Sequence, residues 1–204
     1  MLYNLSMNKF IAHFILITKH RHRVIRNAAH LGIFFHSLGH DLSKYSSVEF
    51  KGSYKYYNGV RSPIYNERKD HGYYSDVFVH HTSHNKHHFE YYMDFCGNYT
   101  LTKNIPYIYC LEIVADMISA SSVYMKKNYR RDSVVKYLEG KKATSLMTDA
   151  TYEFIHWCLV QYAESGFKHL KKKNTKPKYL ELVNKYEPYK YYRLTEASKY
   201  ELKF

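Results

Sequence analysis

The chain is poor in residues that break or staple a fold. It has 8 Gly and 4 Pro in 204 residues. So few breakers disfavour a many-turned β fold and leave room for long helices. Cysteine is scarce too: Cys96, Cys110 and Cys158 are far apart and never in CxxC spacing. Such a set is neither a disulfide framework nor a zinc finger, and it points to a reducing, intracellular compartment. Long apolar runs are missing near the start, where Phe10–Ile17 is too short to span a bilayer and His13 interrupts it. No charged leader precedes it and no small-residue cleavage site follows. The expectation is a soluble, cytoplasmic protein that does not enter a membrane. Acidic residues are outnumbered, 18 against 31 Lys and Arg, for a net charge of +13. That excess attracts anions such as nucleic acid, nucleotides or acidic membrane, without choosing among them.

What is present describes one globular domain: 45% hydrophobic and 24% charged residues, enough for a real core. The 24 tyrosines are as well explained by AT-rich codon usage as by function. Phe10, Phe14, Ile17, Val24, Ala28, Leu31 and Phe35 recur at helical spacing, which predicts one helix from Asn8 to about Phe35. His13 and His20 share a face of it. Ser46 to Glu49 resembles an N-cap with an acidic first turn, opening a helix that Asn58-Gly59 ends. Residues 59–72 read as a long polar loop of the kind that carries function. Further helices are expected over about Tyr73–Asp94, Pro106–Lys127, Arg131–Leu138, Asp149–Ser165 and Tyr179–Lys185. No strand alternation is convincing. The domain is placed at 1–176, with a Tyr- and Lys-rich extension at 177–204.

The segment HHTSHNKHHFE, His80 to Glu90, has five histidines in its first nine residues. It is internal and interleaved with Asn85, Lys86 and Phe89, which argues against a tag. On a helix His81, His84 and His88 share one face, and His80, His84 and His87 an adjacent one. Only one face can line a site. His40 and Asp41 put an imidazole and a carboxylate side by side, a pair that suits one cation but is common by chance. Asp116 interrupts the apolar EIVADMISA, where a buried carboxylate needs a partner. A cation, a salt bridge or an exposed face would each serve.

His, then His-Asp, then clustered His, then Asp, all on helices, resembles the HD-domain metal phosphohydrolases. The matching stretches are TKHRHRV, LGHDLSKYSSVEF, YYNGVRSPI, HHTSHNKHHFEYY and LEIVADMISAS, over roughly residues 13–125. The chain also looks like an uncharacterised family of bacterial and phage proteins with this arrangement. The resemblance implies an all-α, single helical bundle with a metal site in its centre. It implies a first metal on His20, His40, Asp41 and Asp116, with Asp41 bridging to a second metal held by a His pair. His81 and His88 are favoured for that pair, with His84 next, and His80 and His87 are left to support or packing. Mixed imidazole and carboxylate ligands suit Mn, Fe, Co, Ni or Zn ions. The expected activity is hydrolysis of a nucleotide, cyclic nucleotide or related phosphoester by a metal-bound hydroxide. Asp41 and Lys44 are the catalytic candidates, Lys44 as a preorganised cation one helical turn after Asp41. Glu49 is read as a helix-dipole residue or as orienting a water, and Glu90 as a ligand, an imidazole acceptor or a solvated side chain. Arg61, with Lys69 and Lys86, suits a phosphate pocket. Tyr57 and Tyr65, with Tyr56, Tyr73 and Tyr74, are candidates to stack a base. Two other readings stand beside hydrolysis: a di-iron oxygenase, and a non-catalytic binder of nucleotides or nucleic acid. No nucleic-acid-binding module is legible.

Overall fold

The computed structural model describes residues 2–59 and 62–193, with side chains from Lys9 onward. These residues form nine α-helices and three short strands. The helical class expected from scarce Gly and Pro holds, but the fold is not all-α.

The first helix, α1 (Leu2–His30), buries Ile17, Val24 and Ala28 along one stripe, with Leu31 just past its end. It stops earlier than its periodicity suggests. Gly32 takes a left-handed φ of +78°, Ile33 N–H bonds the Ala28 carbonyl and Gly32 N–H that of Ala29. These two hydrogen bonds close the helix end on a residue without a Cβ. Phe35, assigned to the buried stripe on spacing, is instead 84% exposed on the short α2 (Phe34–Ser37).

Ser46 caps α3 (Ser47–Tyr56), accepting from Glu49 N–H, as its sequence predicts. The expected 59–72 loop is partly helix: α4 (Pro63–Asp70) starts with Pro63 at its first position, where a missing N–H costs nothing. Next, α5 (Asp76–His84) packs on α3. The helices approach so closely that a Cβ on Gly52 would collide with Val77.

The expected helix over 73–94 is the main error. It ends at His84, and Asn85 is extended with φ −120°. A turn through His88, a 3-10 turn (Phe89–Tyr92) and strand β1 (Met93–Cys96) follow. The Gly97-Asn98 turn joins β1 to β2 (Tyr99–Lys103), a hairpin that these residues favour. Antiparallel β3 (Tyr189–Arg193) pairs with β2, Tyr99 opposite Arg193. The sheet order is β1-β2-β3.

Helix α6 (Tyr107–Met125) runs through the core, burying Cys110, Leu111, Val114, Ala115 and Ile118. Asn27 and Arg23 of α1 donate to Ser119 and Ser122, both at 2.9 Å, tying the two helices together. Tyr107–Asn128 would pass for a membrane span on length and composition. Its buried side chains pack in the core with those of α8 (Asp149–Ser165), a use that explains its apolarity. Between them, α7 (Ser133–Gly140) adds Val134 and Leu138 to the core. Finally α9 (Lys172–Lys185) contains Pro177, so the helix begins well before the expected Tyr179.

Candidate metal centre

His40 and Asp41 sit at a sharp turn. Asp41 takes a left-handed φ of +53°. Asp tolerates that region better than most residues, and such backbone at a polar cluster marks a functional site. The turn leaves His40 at 1% and Asp41 at 2% exposure, while Leu42 beside them is exposed. His20 comes from α1, Asp116 from α6 and His81 from α5. His87 and His88 come from the turn after α5.

Asp41 lies in the middle, and its two oxygens face different histidines. Oδ2 is 3.2 Å from His40 Nε2 and 3.8 Å from His20 Nε2. Oδ1 is 3.4 Å from both His81 Nε2 and His87 Nε2. Asp116 Oδ1 is 2.9 Å from His20 Nε2 and 3.9 Å from His40 Nε2. His88 Nε2 is 3.0 Å from His81 Nε2. Among the described residues three groups with ligand atoms within 4.8 Å of one another emerge: His20-His40-Asp41 and Asp41-His81-His87-His88, which share Asp41, and His40-His87-Asp116, which links the two. Ligands bound at about 2.1 Å to one ion lie about 3 to 3.5 Å apart, so these spacings suit a common cation.

A test of fit lies in the unpaired atoms. His40 Nε2, His87 Nε2 and both Asp41 carboxylate oxygens are buried with no hydrogen bond. Nearly all buried polar atoms find partners, and an orphan costs about 1–3 kcal/mol. Four converging on one point is the pattern a divalent cation resolves. Lys44 Nζ is ion-paired with Asp41 Oδ2 at 2.6 Å and neutralises part of the charge.

The outward nitrogens are held by carboxylates. His40 Nδ1 donates to Glu112 Oε1 at 2.8 Å, and His36 Nε2 to Glu112 Oε2 at 2.8 Å. His87 Nδ1 is 3.4 Å from the same Oε1. His80 Nδ1 and His81 Nδ1 donate to the two oxygens of Glu49, each at 2.9 Å. A carboxylate behind an imidazole fixes its tautomer, so that Nε2 faces inward as a bare ligand. Burial pushes His81 down to about 4, keeping it neutral and ready to ligate. Burial also lowers His40 and His87, but Asp41 and Glu112 outweigh it, raising both, His87 to about 10. Desolvation raises Asp41, Glu112 and Asp116 less than the neighbouring imidazoles lower them. All three are held well below the usual carboxylate range.

His20, His40, Asp41, Asp116, His81 and His88 thus come together as expected. His87 joins them, although its sequence position left it to support or packing. His84 does not. It is exposed, stacked on His80 at 4.0 Å, with Nδ1 2.8 Å from the His80 carbonyl. The shared-face argument assumed helix through His88; the break at Asn85 resets the register, turns His87 and His88 inward and leaves His84 outside. Glu49 lies in the first turn of α3 as expected, but it is buried at 1% exposure and also accepts from two imidazoles. Glu112 was missed, though it precedes Asp116 by four residues and so shares its face of α6. Glu90 is half-buried, 3.8 Å from His88 Nδ1.

Beside the cluster lies a cavity of about 340 Å³, walled by His20, Lys44, His81, His88 and Asp116 at one end and mostly apolar elsewhere. The substrate candidates chosen from sequence fare poorly. Lys86 is exposed and sits over the Tyr91 ring at 5.7 Å. Tyr57 packs behind His13, ring centroids 5.1 Å apart. Tyr65, half-buried on α4, is not in the wall, and Arg61 lies outside the described residues. The aromatic wall is formed by Tyr124 and Tyr137 instead.

A mostly helical protein with buried His and Asp groups positioned to hold a metal ion is the class that fold and site define. The chain belongs to a family of unknown function (DUF5662), whose profile matches residues 9–160. No curated protein and no solved structure matches it.

Proposed function

We propose that the protein is a metal-dependent phosphohydrolase acting on a nucleotide, cyclic nucleotide or related small phosphoester. The observation that carries this reading is the convergence of buried His40 Nε2, His87 Nε2 and both Asp41 oxygens, none with a hydrogen bond and Asp41 Oδ2 ion-paired with Lys44, beside a cavity that Lys44 also lines. The ligand order along the chain, which resembles the HD-domain phosphohydrolases, supports it. His20, His40, Asp41 and Asp116 would hold one cation, and Asp41, His81, His87 and His88 a second. Bound there, such ions supply Lewis acidity that lowers the pKa of a water and neutralises phosphoryl oxygens.

The chain's own residues prepare the rest. Burial works against the Lys44 ammonium, but Asp41 and Asp116 outweigh it and keep Lys44 charged across the physiological range. It is thereby a fixed cation at the cavity wall, placed to meet phosphoryl oxygens or a leaving group. Glu49 and Glu112 hold the imidazoles in one tautomer, so no reorganisation is needed when charge develops. The apolar walls exclude competing water.

The test begins with elemental analysis of untagged protein, comparing wild type with Asp41→Ala and Asp116→Ala. One to two equivalents of a transition metal per chain are expected in wild type and a loss in both variants. The metal found is then used to screen phosphomonoesters, cyclic nucleotides and dinucleotides for phosphate release. Failure to retain metal after reconstitution with Mn²⁺ or Fe²⁺ overturns the reading. Stoichiometric iron with O₂ uptake and no hydrolysis would replace it with the oxygenase.

A further inference from the structure

The cavity has a second polar end that the metal cluster does not explain. His13, Leu16, Ile17 and His20 line it from one stripe of α1. The seven residues from His13 to His20 span about 10 Å at 1.5 Å per residue. From α6 the cavity is lined by Asp116, 2.9 Å from His20, and by Ala120, Val123 and Tyr124. The stretch between is apolar. His13 is 3% exposed, wedged against Phe50 and Tyr57 at 5.3 and 5.1 Å, and its Nδ1 is buried with no hydrogen-bond partner. A histidine kept for packing alone would be expected to bond, as nearly all buried polar atoms do. Burial, helped by the nearby Lys44 charge, lowers its pKa to about 4, so the ring is neutral and offers one N–H and one bare nitrogen.

We infer that His13 reads the far end of the substrate: a phosphomonoester of about nucleoside length, its phosphate at the metal end and an uncharged hydrogen-bonding group, such as a base edge, against the His13 ring. The placement of the phosphate rests on the phosphohydrolase reading. The about 340 Å³ volume is at the small end for sites that enclose a drug-sized ligand, which favours one mononucleotide over a polymer strand. The apolar walls between the poles suit a base or deoxyribose better than a further phosphate.

The experiment uses the metal-loaded protein, phenyl phosphate, a panel of nucleoside 5′-monophosphates, and the variants His13→Phe and His13→Gln. Phenyl phosphate carries no group that could reach His13. For the best nucleotide, His13→Phe should raise KM about tenfold or more with kcat within about twofold, as expected for a lost buried hydrogen bond. His13→Gln should recover part of that loss. Phenyl phosphate kinetics should be the same in all three proteins. Calorimetric titration of the same nucleotide into metal-free protein should show the same order of affinity. Equal losses on both substrates, or an unchanged nucleotide KM and affinity, overturn the inference. His13-dependent nucleotide binding in a protein that hydrolyses nothing supports the inference and overturns the phosphohydrolase reading instead.

Discussion

Glu112 Oε1 lies 2.8 Å from His40 Nδ1, and that single contact decides which nitrogen of His40 faces Asp41. Oε1 is also 3.4 Å from His87 Nδ1, so one carboxylate on α6 orients imidazoles on two loops. Glu49 does the same for His80 and His81 from α3. The imidazoles of the candidate centre are therefore held by acids that stand behind them.

Glu112→Gln removes the charge while keeping the shape. Metal affinity should fall about 10- to 100-fold, with helical circular dichroism unchanged. Competition against a chromogenic chelator measures it. Wild-type affinity in the variant would mean that Glu112 is packing and nothing more.

His87 and His84 give a sharp contrast, because the structure reverses their expected order. His87→Ala should lower metal content by up to one equivalent per chain. His84→Ala should lower it not at all, since His84 is exposed and bonded to its own helix. The opposite result would mean that helix α5 continues through residue 88, as periodicity alone suggested.

That reversal shows where sequence reading works and where it stops. Signals confined to a few residues were legible: Ser46 as the cap of α3, Pro106 before α6, Gly166 after α8. The residues of the candidate centre were legible because His and Asp in this order are unusual on helices and Asp116 is out of place in an apolar run. The break at Asn85 was not. The residues after it lead to β1, and the sheet is completed by β3, whose Tyr191 pairs with Leu101 from ninety residues away. No local pattern encodes such a partner, and a His-rich polar stretch fits helix and turn equally well. The lining of the cavity was not legible for a similar reason. Tyr57 and Tyr65 were offered as base-stacking candidates, whereas the tyrosines that line the cavity, Tyr124 and Tyr137, come from the end of α6 and from α7.

Lys44→Met keeps the length of the side chain and deletes its charge. Turnover should drop about 10²- to 10³-fold, the usual cost of one preorganised group that stabilises transition-state charge. Metal content should stay within error of wild type. Loss of the metal would reassign Lys44 from meeting the substrate to balancing Asp41, from which it is 2.6 Å away.

Chelation should destabilise the fold itself. A ligand at 100 times its Kd stabilises the native state by about 2.7 kcal/mol. For a chain of this length that corresponds to a rise in Tm of roughly 5–10 °C. Adding the cation to metal-free wild type should produce that rise, and adding it to Asp41→Ala should not. Equal shifts in the two proteins would place the stabilising ion somewhere else.

Acid should destabilise the protein through His13, independently of any metal. His13 has a folded pKa of about 4 against an ordinary 6.5, so the unfolded chain binds its proton more readily than the folded one. Stability is complete above about pH 6.5 and declines as pH falls toward 4, because unfolding releases the ring to be charged. At pH 5 this linkage amounts to about 1–2 kcal/mol. His13→Phe removes the titrating group, and it fills a site already lined by Phe50 and Tyr57. Denaturant melts of chelated protein at pH 7.5 and pH 5 should show the wild type losing more stability than the variant between the two. His81 is also held low by burial, but it is present in both proteins and cancels in the difference. Parallel losses would show that the His13 ring is not shielded from solvent protons, and that the cavity around it opens before the chain unfolds.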